Sequence, residues 1–231
     1  MHISIGKIAL AFIDSTLNIL SVRDKYSAEH CKSVGRLAAE LGTSFGLDLE
    51  YISELQLAGR AHDIGKLTWP DMCFTEKTKD ELGACFDMMY FHPTHSKKFL
   101  QNSFQSLDHP KCSLRWIEWV WLHHWGYKDE YKINPPLEDP EVKKLLECIR
   151  ECPIREIIEL GIGIIHVSDA FHAAISGRPY RKDHPKPKSI DQVIYELRDK
   201  SGEEYHPEVV KKIKSMESWL RQIFIPDIYY R

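Results

Sequence analysis

Twelve of the 231 residues are histidine, and the informative ones stand beside aspartate or beside each other. His62 and Asp63 are adjacent, His123 and His124 are adjacent, and His30, His92 and Asp169 each fall near a helix end or on a helix face. A neutral imidazole offers one lone pair to a cation, and a carboxylate can bridge two cations. This many imidazoles with two aspartates suit a pair of divalent ions that keep open positions for water and substrate. Two such ions share a hydroxide and clamp a phosphoryl group during in-line attack. Each residue alone has a plainer reading. A single helical histidine is usually a surface or satisfied core residue, and an aspartate at a helix end is more often a cap than a ligand. His123-His124, beside a tryptophan-rich run, also reads as a packed aromatic patch. The grouping points to metal-dependent hydrolysis of a phosphate ester.

The elements that must position these residues read as helical. Apolar residues at mixed three- and four-residue spacing predict helices over 3–21, 27–46, 48–63, 78–90, 93–104, 113–124, 154–176, 189–200 and 207–223, with a short one over 140–151. Ser27 and Asp48 are the expected caps of the second and third helices, Gly46 the expected end of the second, and Gly177 that of the long helix. Residues 126–140 are turn-rich, and 178–188 form a basic, proline-containing loop. No alternating strand pattern, repeat or low-complexity tract is present. The fold class is all-α. An N-terminal helix over 1–22 precedes a single domain over 23–231, and that helix either packs on the core or forms a homodimer contact.

Bulk properties narrow the partners. The apolar fraction of 43% supports a real core, and the net charge of -3 provides no global field for nucleic acid or an anionic membrane. The six cysteines form no Cys-x-x-Cys pair, which argues against a zinc ribbon. The N-terminus lacks the pattern of a signal peptide. No apolar run comes near the roughly 20 residues needed to cross a bilayer. These features lead to the expectation of a cytoplasmic chain with reduced thiols, no membrane and no nucleic-acid polymer as partner.

His62-Asp63-Ile64-Gly65-Lys66 resembles the signature of the HD phosphohydrolase superfamily, specifically its HD-GYP branch. The resemblance runs from about residue 23 to 213. His30 lies in a segment similar to the family's leading histidine helix. His92-Pro93 with Ser96 resembles its His-Pro-x-x-Gly motif, and His123-His124 with Gly126-Tyr127 resembles its His-His-Glu segment and Gly-Tyr-Pro tail. Val167-Ser168-Asp169-Ala170-Phe171, followed by Arg178-Pro179-Tyr180-Arg181, resembles the family's aspartate helix and Arg-Pro-Tyr loop. Gly202 to Val210 resembles its closing segment. These motifs occur in the family's order.

The resemblance implies an HD-domain helical bundle with a metal site in its centre. It assigns His30, His62, Asp63 and Asp169 to one metal, with Asp63 bridging to a second held by His92, His123 and His124. Two divalent ions are implied, iron or manganese first, with nickel, zinc or magnesium as alternatives. Asp63 and Lys66 would be the catalytic pair. Lys66 would aim its ammonium at the phosphate or leaving oxygen, and Arg178, Arg181 and Tyr127 would join it in holding substrate. The implied activity is a phosphodiesterase opening a cyclic dinucleotide, cyclic di-GMP, to a linear product. The alternatives are an HD phosphohydrolase acting on another nucleotide or phosphate ester, and a catalytically weak nucleotide-binding or signalling module.

The departures bear on the substrate-recognition side more than on the metal residues. Tyr26 stands where some members place a third-metal glutamate, Trp125 replaces the glutamate after His-His, and the spacer before Gly-Tyr is missing. Lys128 replaces the proline of Gly-Tyr-Pro, a short extra helix separates Tyr127 from Asp169, and His172 replaces the helix's second aspartate.

Overall fold

The computed structural model describes residues 5–74, 90–104, 115–128, 140–176 and 186–224, and these are helical with no strand among them. The helices are α1 (Ile5–Arg23), α2 (Lys25–Ser44), α3 (Leu49–Ala61), α4 (His92–Phe104), α5 (Arg115–Trp121), α6 (Pro140–Glu151), α7 (Arg155–Ser176), α8 (Ile190–Asp199), α9 (Pro207–Ser215) and α10 (Glu217–Phe224). Two 3-10 segments, Ile64–Thr68 and Asp71–Phe74, follow α3. The helix expected over 78–90 lies almost wholly outside the described residues, as does the expected cap Gly177.

Local chemistry corrects several boundaries. Asp24, not Ser27, caps α2: its carboxylate accepts from the Tyr26 N–H at 3.1 Å, while Ser27 is buried one turn inside. Asp48 occupies the cap position of α3 without a side-chain hydrogen bond. α2 ends at Ser44, and Gly46 takes φ +72 in the following turn, where only glycine is unstrained. α3 stops at Ala61, so His62-Asp63 lie in the turn beyond it. The segment expected as one helix over 207–223 breaks at Met216 into α9 and α10.

α2, α3 and α7 form the centre, with α1 and α5 packed around them. Ile13, Leu17 and Leu20 of α1, Leu37 and Leu41 of α2, Leu55 of α3, Trp119 of α5 and Phe171 of α7 are fully buried. Gly35 and Gly59 set the α2–α3 distance: a Cβ on Gly59 would lie 2.6 Å from the Gly35 Cα. Arg23, at the end of α1, donates to the Leu67 and Trp69 carbonyls at 2.6 Å each. That pair of bonds ties α1 to the segment just after His62-Asp63.

α7 bears on the expectation about bilayer-length segments. At 22 residues, with an apolar 18-residue window inside it, α7 is by length and composition alone long and apolar enough to cross a bilayer. Its most apolar window is 61% buried inside the fold, and it carries Asp169, His166 and His172 inward. Such an apolar helix, surrounded by protein, is read as a core helix.

Candidate metal centre

Three helices and two turns converge on one buried point. α2 delivers His30 from its second turn, and the turn after α3 delivers His62 and Asp63. α4 opens on His92, the turn after α5 holds His123 and His124, and α7 delivers Asp169. His30, His62, Asp63, His92, His123 and Asp169 are each at most 9% exposed. The His124 side chain is 30% exposed and marks the open side.

The side chains form two trios with one residue between them. In the first, His30 Nε2 lies 2.9 Å from Asp169 Oδ1 and 3.2 Å from His62 Nε2. In the second, His92 Nε2 lies 3.1 Å from His123 Nε2 and 3.2 Å from His124 Nε2. Asp63 spans the two, with Oδ1 3.2 Å from His92 Nε2 and Oδ2 3.4 Å from His62 Nε2. Within each trio the ligand atoms lie within 4.8 Å of one another.

Ring orientation tests whether a cation fits. His62 Nδ1 donates to the Gly59 carbonyl at 2.8 Å, and His123 Nδ1 donates to the Val120 carbonyl at 2.6 Å. A carbonyl only accepts, so each Nδ1 carries a proton. The neutral His123 ring therefore turns an Nε2 lone pair toward His92. One proton on His92 can serve only one of its two imidazole contacts. Two nitrogens each about 2.1 Å from a shared cation stand about 3 Å apart at a right angle, which matches the spacing here. Asp63 Oδ1, buried among these nitrogens, has no hydrogen-bond partner among the described residues. The donor set fits divalent cations.

Charge in the cluster follows from burial and neighbours. Burial favours neutral Asp63, but Lys66, His62 and His92 outweigh it and hold the carboxyl well below its ordinary range. Burial also opposes the Asp169 carboxylate, and hydrogen bonds to His30 and His62 keep it charged. His123 and His124 are pushed well down, by burial first and then by neighbouring imidazoles. Burial pulls His62 down too, but the Asp63 carboxylate and its other neighbours outweigh burial and raise it above its ordinary value.

The remaining expected residues fall in three places. Lys66 is buried, its ammonium paired to Asp63 Oδ2 and 5.6 Å from the Trp69 ring centre. Tyr127 is half exposed, and its backbone N–H donates to Glu204 at 3.1 Å while its ring lies 5.0 Å from His206. Arg178 and Arg181 lie outside the described residues. Tyr26 stacks on His30 with ring centres 5.9 Å apart, and its hydroxyl lies 3.0 Å from Ser176 Oγ.

Three residues that sequence reasoning did not place in the site join it here. Ser96 Oγ donates to the His62 carbonyl at 2.7 Å and accepts from the Gly65 N–H at 2.9 Å, clamping the His62-Asp63 turn to α4. His172 Nδ1 lies 2.9 Å from His30 Nδ1. His166 Nδ1 donates to the Trp125 carbonyl at 3.0 Å. The available signal for the two histidines was their spacing, three residues either side of Asp169.

Known proteins share both sequence and shape. The HD domain family model matches residues 27–174. A Thermotoga maritima protein named cyclic di-GMP phosphodiesterase is 29% identical over 217 residues, covering 90% of this chain and 50% of that protein. A Vibrio cholerae serotype O1 protein named 3'3'-cGAMP-specific phosphodiesterase 1 is 28% identical over 167 residues, covering 71% of this chain and 32% of that one. The chain thus spans half the length of the first of these curated relatives and about a third of the second. Among solved structures, the HD domain of the L. monocytogenes phosphodiesterase PgpH covers 90% of this chain at TM-score 0.57 and 15% identity. The same domain in complex with cyclic-di-AMP covers 94% at TM-score 0.53 and 15% identity. Both solved structures are 98% covered in turn, and at that identity they establish the shared helical fold.

Proposed function

Because this chain belongs to the HD domain family, whose members bind divalent metals, we propose that it is a metal-dependent phosphodiesterase that opens a cyclic dinucleotide. The observation that carries this reading is the pair of trios, one of two imidazoles and a carboxylate and one of three imidazoles, joined through Asp63. His30, His62 and Asp169 would hold one cation and His92, His123 and His124 the other, with Asp63 shared. When bound, the cations lower the pKa of a water toward neutrality and neutralise charge on the phosphoryl oxygens.

The chain's own groups then have distinct tasks. Asp63 fixes the separation of the two halves. Ser96 holds the turn on which Asp63 sits. Lys66, already beside Asp63, offers its ammonium where negative charge develops on the departing oxygen. Substrate enters past His124, the partly exposed member. Burial of the other ligands excludes bulk water and strengthens each interaction at the phosphate.

The substrate we propose is cyclic di-GMP, as the name of the Thermotoga relative suggests. The turn through Tyr127 and Lys128, bonded to the Glu203 and Glu204 carbonyls, favours a second reading with another nucleotide in the same centre. The HD-GYP branch, whose tail this turn departs from, is the branch we infer. The test is chromatography of metal-loaded protein incubated with cyclic di-GMP, 3'3'-cGAMP and cyclic-di-AMP. A linear dinucleotide from cyclic di-GMP supports the first reading, and turnover of another member of the panel alone supports the second. No turnover of any with iron, manganese, magnesium or nickel would overturn the enzymatic reading and leave a binding module.

A further inference from the structure

α7 carries histidine, aspartate and histidine at positions 166, 169 and 172. Three-residue spacing puts all of them on one stripe of the helix. Asp169 points into the centre, and each flanking imidazole is buried, at 7% and 5% exposure. The two rings meet different halves of the centre.

His172 meets the first half. Its Nδ1 lies 2.9 Å from His30 Nδ1, and one of these nitrogens must donate. His30 Nε2 faces Asp169 and His62. A proton on His30 Nδ1 leaves that Nε2 lone pair available, and it requires His172 Nδ1 to accept. The Phe224 ring packs against His172 with centres 5.8 Å apart and fixes its plane.

His166 meets the second half. Its Nδ1–H donates to the Trp125 carbonyl, the residue directly after His123-His124. Its ring also packs on Tyr205, with centres 5.0 Å apart. The turn that aims two imidazoles is thereby anchored to the same helix that supplies Asp169.

We propose that His172 and His166 are positioning residues, one for each half of the metal centre. His172 sets the tautomer and orientation of His30, and His166 holds the turn bearing His123 and His124. This inference rests on the two-metal reading above. Partners behind a ligand commonly change metal affinity by about 10–100-fold.

The test uses the full chain, stripped of metal, titrated with Mn2+ alone by calorimetry. His30→Ala and His124→Ala identify which binding step belongs to which half. His172→Phe and His166→Phe keep an aromatic ring and remove the hydrogen bond. His172→Phe is expected to weaken the first-half step about 10–100-fold and His166→Phe the second-half step by a similar factor. His172→Asp restores an acceptor for His30 and His166→Gln restores a donor for Trp125, so both are expected to recover binding. Recovery also answers the case in which a phenylalanine variant fails to fold. Two steps of unchanged affinity in both phenylalanine variants would overturn the proposal while leaving the two-metal reading intact. So would equal weakening of both steps by each variant. A wild-type chain that binds no Mn2+ would overturn both.

Discussion

His30, His62 and Asp169 form a closed half of the centre, every member at most 6% exposed, with a carboxylate that stays charged. His92, His123 and His124 form the other half, three imidazoles with His124 partly open to solvent. Asp63 is the only carboxylate placed between them among the described residues. Anionic oxygen and burial favour a tightly kept cation, whereas neutral nitrogens with an open flank favour exchange and access. On the proposed two-metal reading, the difference teaches that one half would retain its ion and the other would exchange it. On the function proposed above, substrate would meet the imidazole half first.

The largest effect is expected from the shared member. Asp63→Asn should remove both ions and lower turnover by about 1000-fold or more, about 4 kcal/mol of barrier. Metal analysis and initial rates check this, and retention of one ion would show the halves to be independent. Next come the single-half variants. His62→Ala should lose the retained ion and His124→Ala the exchangeable one, leaving one ion per chain in each case. Lys66→Met should keep both ions and lower kcat about 100–1000-fold, the scale for losing one preorganised donor. Loss of metal in that variant would mean that Lys66 chiefly supports Asp63.

Proton linkage separates the halves by pH. His123 and His124 titrate below their ordinary 6.5 when folded, so the unfolded chain takes protons first as pH falls. Their contribution to stability is present above 6.5 and is lost as pH drops through the lowered folded values. Asp63 and Asp169, also lowered, contribute above their ordinary 3.8 and lose that contribution only below it. His62, raised, opposes the imidazole trend because its contribution is present below 6.5 and lost as pH rises. Melting of metal-free protein across this range should show two declines on acidification. His124→Ala should flatten the upper one and Asp169→Asn the lower.

The smallest effect on the centre is expected from packing. A Cβ on Gly161 would lie 2.3 Å from the Trp119 ring, so Gly161→Ala should cost about 1–3 kcal/mol in denaturant unfolding. The metal count should not change.

Much of the centre was legible because its chemistry is sequence-local. His62-Asp63 and His123-His124 are neighbours in the chain, and Asp169 stands in a segment that resembles the family's aspartate helix. His166 and His172 were not read as site residues because their partners are remote. Trp125 and His30 lie 41 and 142 residues away, and only the packing of α2 and α5 against α7 brings them near. Ser96 was read as a motif position, while its clamp on the His62-Asp63 turn depends on how α4 docks. The Asp24 cap was missed because Ser27, also a good cap residue, stands one turn further in. α7 escaped notice as bilayer-length because its acidic and histidine residues interrupt the apolar run, although its composition still qualifies.

The most direct test is elemental analysis of protein reconstituted with manganese or iron, counted per chain, for wild type and Asp63→Asn. Two ions in the wild type and none in the variant are expected. Fewer than two in the wild type, or two retained without Asp63, would contradict a centre bridged by that residue.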